Sequence, residues 1–217
     1  MKKNYLKFPG LVLGLGLVLS SCVSEMDAPT VDKQFTLDEL VSADQGGENL
    51  RMGTAYNYTE TFENQLDPRP PYEETDQFAL GYFPGVGKGM ANRMGKAISF
   101  LNQLAVFDLQ ANAIITVAAP VTQFYGGELA DLGLTGIPDE VSSLTTDGKG
   151  NAIWFKNIKN VTTSISDDLT EFEAEVEIIG GNGRFSRAKG QGVVKGTFNP
   201  LTGEGKSELK ARIENID

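Results

Sequence analysis

Carboxylates, tyrosines and lysines are the only side chains in this sequence that could move a proton near neutral pH, because its 217 residues include no histidine and a single cysteine. Imidazole general bases, Ser-His-Asp triads and histidine metal sites are therefore excluded. Four stretches could carry chemistry. Pro84-Gly85-Val86-Gly87-Lys88-Gly89 is rich in glycine like a phosphate cradle. It lacks Gly-Lys-Ser/Thr at the P-loop spacing, and it reads as a hairpin connection. Asp147-Gly148-Lys149-Gly150-Asn151 has the composition of a turn, without the acidic spacing of an EF-hand loop. Asn102 shares parity with the apolar residues Ile98, Phe100, Leu104 and Val106 and so needs a polar partner, a water or a ligand. Asp67 to Asp76 is a proline-rich loop carrying Tyr72, Glu73 and Glu74. Spacing alone nominates no catalytic, cofactor-binding or metal-ligating residue.

The cysteine has a different use. Lys2, Lys3 and Lys7 precede an apolar run from Leu11 to Leu19, which is too short to span a bilayer comfortably. Leu19-Ser20-Ser21-Cys22 follows. An aliphatic residue, two small ones and a cysteine resemble a bacterial lipobox. Residues 1–21 then read as a lipoprotein signal peptide, and Cys22 as the lipidation site and first mature residue. Its thiol would take diacylglycerol, with palmitate among the acyl chains, and several chains give durable anchoring. As Cys22 is the sole cysteine, no intramolecular disulfide can form. Loss of residues 1–21 removes three lysines and no acid, so the formal charge of −10 becomes −13. Such an acidic chain disfavours nucleic acid as a partner. The expected location is the bacterial cell envelope, lipid-anchored at the outer membrane.

Residues 22–46 read as a tether. Within it, Thr36-Leu37-Asp38-Glu39 has the form of a capping box and predicts a short helix running to Ala43. Residues 47–217 read as one β domain, large enough for a real core.

The clearest β signal lies late in the chain. Phe172, Ala174, Val176 and Ile178 alternate strictly with Glu171, Glu173, Glu175 and Glu177, a period of two with one wet face. After Gly180-Gly181-Asn182-Gly183, the run from Ala188 to Phe198 places Gly190, Gly192 and Gly196 at the same parity as Val194 and Phe198. Glycines on an inner face predict close backbone approach, as in a small barrel. Leu209, Ala211 and Ile213 alternate again. The full expectation is eight strands, at about 49–62, 77–83, 94–107, 112–124, 151–166, 170–179, 188–198 and 205–214. Leu129, Leu132, Leu134 and Ile137 lie in an expected loop over 126–138 that would close one barrel mouth.

Gly180-Gly181-Asn182-Gly183-Arg184-Phe185, followed by Ala188 and Gly190, resembles the Gly-Gly-x-Gly-x-Phe…Ala-x-Gly signature of allene oxide cyclase and dirigent-like barrels. A weaker similarity extends over residues 85–205, through Met94-Gly95-Lys96 and the turn from Asp147 to Asn151. The resemblance implies an all-β fold, a single antiparallel barrel of about eight strands, often with an apolar cavity. It carries no catalytic residue over to this chain.

The expected role is a membrane-anchored lipoprotein whose non-catalytic barrel is a structural or interaction element, or holds a small apolar ligand. An envelope protein is the alternative partner. A carboxylate- or tyrosine-based isomerase or cyclase is the alternative activity, and it requires an ionisable residue inside the cavity. The volume and lining of the barrel interior separate these readings.

Overall fold

A computed structural model of the chain describes residues 55–75, 77–108 and 113–216; of Phe107, Asp108, Ala113 and Ile114 only the backbone is considered. The expected signal peptide, the expected lipidation site Cys22, the expected tether and short helix, and the first residues of the expected 49–62 strand lie outside the described residues.

Twelve strands, one α-helix and one 3-10 turn follow in order among the described residues. They are β1 (Tyr56–Leu66), β2 (Glu73–Glu74), β3 (Phe78–Tyr82), β4 (Gly85–Ala91), β5 (Gly95–Leu101), β6 (Gln103–Asp108), β7 (Ala113–Ala118), α1 (Thr122–Asp131), β8 (Ser143–Thr146), β9 (Ala152–Ser166), β10 (Leu169–Asn182), β11 (Lys189–Phe198) and β12 (Glu204–Glu214). Eight of them close into an antiparallel barrel, in the order β1-β4-β5-β8-β9-β10-β11-β12 and back to β1. The remaining strands, β7-β6-β3-β2, extend this sheet beyond the barrel and join it where Ile115 of β7 pairs with Val161 of β9.

The three late strands form with the register their alternation dictates. Glu173 pairs with Lys195 across β10 and β11, and Lys195 with Glu208 across β11 and β12. Glycines let these backbones approach. A Cβ at Gly196 would sit 2.2 Å from the Lys206 carbonyl oxygen and 2.6 Å from the Phe172 ring, so only glycine leaves that ring its space.

Four expectations are corrected. The glycine-rich stretch after Pro84 is not a connection but strand β4, whose Gly87 and Gly89 face inward against Phe62. The expected 94–107 strand is broken at Asn102 into β5 and β6, and 112–124 shortens to β7 because α1 begins at Thr122. The helix and the chain after it do not close a barrel mouth. Leu129, Leu134 and Val141 pack with Phe100 and Leu144 in a second core on the outside of β5 and β8. Tyr125 stacks at a tilt on Phe100 there, with ring centroids 5.2 Å apart.

The proline-rich segment after β1 runs along the edge of β3. The N–H groups of Asp67, Arg69 and Tyr72 donate to Pro84, Tyr82 and Leu80. Pro68, Pro70 and Pro71 leave the inward donors intact, as proline at a sheet edge must. Tyr72 is exposed and stacks on Tyr82 at 5.2 Å.

Candidate functional site

One end of the barrel interior is filled. Tyr58, Ile153, Ile178, Phe185, Leu209 and Ile213 are buried together in its floor. The Gly180–Phe185 signature builds this floor. A Cβ on Gly181 would lie 2.1 Å from the Ala152 carbonyl oxygen, and Gly183 takes φ +58°, a left-handed turn that glycine allows without strain. The turn sends Phe185 into the barrel end, where its ring meets Tyr58 edge-on at 6.4 Å. Such an aromatic contact contributes about 1 kcal/mol beyond the area it buries.

Above the floor the interior is hollow, with a cavity of about 130 Å³. Five phenylalanines, Phe62, Phe83, Phe155, Phe172 and Phe198, form much of its apolar wall, with Leu101, Val176, Val194 and Leu209. Asn64, Gln103, Thr116, Asn157 and Asn160 supply polar positions. Among the described residues of the wall, Glu60 is the sole ionisable side chain.

Strand β1 sets Glu60 there by its alternation. Tyr58, Glu60 and Phe62 are all inward and buried, at 0%, 6% and 4% exposure. Across the sheet Glu60 faces Leu209 of β12 and Ala91 of β4, neither of which offers a charge. The Tyr58 hydroxyl donates to Glu60 Oε1 at 2.5 Å. The Thr145 hydroxyl lies near enough to the carboxyl to favour its charged form, although its Oγ1 completes no hydrogen bond. Burial raises the Glu60 pKa to about 7; the Tyr58 hydrogen bond pulls the other way and does not offset it. Burial, and then the neighbouring Glu60 charge, pushes the Tyr58 phenol far above its ordinary value, so Tyr58 acts as a fixed donor and Glu60 as the group that titrates.

Asn157 is the second unusual wall residue. Its backbone N–H donates to Ser142 Oγ at 2.9 Å. Its side-chain Oδ1 and Nδ2 are both buried and have no hydrogen-bond partner among the described residues. Asn160 donates to Gln103 Oε1 at 2.9 Å, while its own Oδ1 has no such partner. Unsatisfied buried polar groups cost about 1–3 kcal/mol each, and both amides belong to residues that line the cavity.

The residues singled out from sequence fall elsewhere. Asn102 is fully buried but lies outside the barrel, donating to the Pro120 carbonyl at 2.9 Å and to Gln123 at the start of α1. The Asp147 carboxylate is consumed by its own turn, accepting from the N–H groups of Lys149 and Asn151 and from the Asn151 amide. The strand glutamates from Glu171 to Glu177 face away from the cavity, as the alternation requires. Glu60 and Asn157 were not singled out. For Glu60 a signal existed: a carboxylate at the parity of the strand aromatics on either side of it, Tyr58 and Phe62.

Comparison with protein-family models, with curated proteins and with solved structures finds no match for this chain.

Proposed function

We propose that this protein is a lipid-anchored envelope lipoprotein whose barrel binds a small, largely apolar molecule bearing one polar group. The carrying observation is a phenylalanine-rich cavity whose lining also holds the Glu60 carboxyl and the buried, unpartnered Asn157 amide. An interior meant only as filler would be packed by side chains, as the floor is; small-molecule sites combine apolar walls with a few convergent polar groups. The likeness of Gly180–Phe185 to allene oxide cyclase and dirigent-like barrels supports a cavity-bearing barrel. Leu19-Ser20-Ser21-Cys22 supports anchoring through Cys22.

A probe titration tests the binding reading. With benzyl alcohol added to the full chain, methyl resonances of Leu101, Val176, Val194 and Leu209, which line the cavity, shift saturably. Those of Leu129 and Val141, in the outer core, stay put. Uniform small shifts, or none, would reject the cavity as a binding site.

Glu60 favours a second reading. A carboxyl titrating at about 7 is matched to accept or donate a proton at neutral pH, which is what an isomerase working without imidazole needs. Turnover lost in Glu60→Gln while the probe still binds would mark that activity.

A further inference from the structure

We infer that the ligand is a small primary amine with a body the size of one ring, its ammonium seated between the Glu60 carboxylate and the faces of the cavity phenylalanines. This rests on the binding reading and names the chemical class it takes.

Three features of the wall converge on a cation. The first is charge: Glu60 has no Lys or Arg beside it among the described wall residues, so when it ionises the counter-charge comes with the ligand. The neighbours that face Glu60 are Tyr58 on its own strand, Leu209 from β12, Ala91 from β4 and Thr145 from β8; Tyr58 is the single titratable group among them and stays a neutral donor. A carboxylate ligand would meet a like charge in a place that cannot hydrate both.

The second feature is the aromatic lining. Phe62, Phe83, Phe155, Phe172 and Phe198 turn five rings on one small space. Ring faces carry the negative end of the quadrupole and attract an ammonium, most of all where water is excluded. A neutral alcohol gains nothing comparable.

The third is hydrogen-bond count. An ammonium has three donors. Glu60 accepts, and the side chain of Asn157, whose buried Oδ1 has no partner among the described residues, belongs to the same cavity lining. The volume limits the body: about 130 Å³ is close to the roughly 150 Å³ apolar cavity known to hold benzene.

Binding of an ammonium selects the ionised form of Glu60. With its pKa at about 7, the ionised fraction rises from about a tenth at pH 6 to about nine-tenths at pH 8. Affinity for an amine that stays protonated over this range therefore increases about tenfold, and binding at pH 6 releases a proton.

The test is calorimetric titration of the full chain with benzylamine, benzyl alcohol and benzoate at pH 6 and pH 8. Benzylamine should bind best at pH 8, lose about tenfold at pH 6, and lose at least that much at pH 8 in Glu60→Gln, in which the side-chain oxygen can still accept from Tyr58. Asn157→Leu should also weaken benzylamine. If benzyl alcohol binds wild type as well as benzylamine, or amine affinity does not change with pH, the amine inference is overturned while the cavity reading stands. If benzoate binds best, the amine inference is likewise wrong. If none of the three binds wild type, both fall.

Discussion

Tyr58 and Glu60 stand two residues apart on β1, both turned into the barrel, with the phenol donating to the carboxyl at 2.5 Å. Tyr58 belongs to the packed floor and Glu60 to the cavity above it. The pair therefore marks where the interior changes from filled to hollow, and the Phe185 ring against Tyr58 ties that boundary to the glycine-rich signature.

Replacing Glu60 by Gln should change how stability depends on pH. The folded-state pKa of about 7 lies above the ordinary 4.5, so between those values the folded protein holds a proton the unfolded chain has lost. The protonated carboxyl is tolerated fully at low pH, and that advantage drains away as pH rises towards 7. By pH 8 the ionised group costs roughly 3 kcal/mol, and Glu60→Gln escapes this. Denaturant melts should place the variant near wild type at pH 4.5 and above it by a few kcal/mol at pH 8. Parallel pH profiles would count against a buried, titrating Glu60.

Tyr58→Phe keeps the ring against Phe185 and removes the donor. The Glu60 pKa should rise further, because the hydrogen bond that lowered it is gone. The stability loss should be about 1–3 kcal/mol, larger at pH 8 than at pH 5, since a donor matters more to a carboxylate than to a neutral acid. An equal loss at both pH values would show that the bond does not favour the charged form.

On the three late strands, inside and outside are set by parity. Val176 is 6% exposed and lines the cavity, whereas Lys195 is outside, its ammonium 2.9 Å from Glu173. Val176→Asp should cost several kcal/mol, as a charge in an apolar wall does. Lys195→Glu should cost under about 1 kcal/mol and less in high salt, because the pair is solvent-exposed. Thermal melts rank the two variants; a larger loss for Lys195→Glu would reverse the assigned faces.

Mass spectrometry of the native amino terminus examines the anchor. The expected product begins at Cys22 with acyl chains on the cysteine, residues 1–21 being absent. An unmodified Cys22, or cleavage elsewhere, removes the lipoprotein reading.

The sequence made the late strands legible because their alternation is unbroken from Glu171 to Ile178, and a one-residue slip would have turned every glutamate inward. Strand β4 was hidden because three of its inward positions are Gly85, Gly87 and Gly89, which carry no apolar pattern. Helix α1 was hidden by Gly126 and Gly127 within it and by the β-forming run just before. Its stability comes from Leu129 packing on the outer core, a tertiary contact that local propensity does not encode. The cavity was unreadable as a site because its wall is assembled from single residues of many strands. Glu60, Asn157 and Phe198 are far apart in the chain and meet only when the barrel closes.

The most direct measurement of the central claim is the titration of the Glu60 carboxyl carbon by ¹³C NMR, assigned by its loss in Glu60→Gln. The hollow, phenylalanine-lined barrel with one uncompensated carboxyl predicts a midpoint near 7. A midpoint between about 4 and 5, the range of an exposed glutamate, would mean that Glu60 is hydrated or paired, and the cavity described here would not exist in that form.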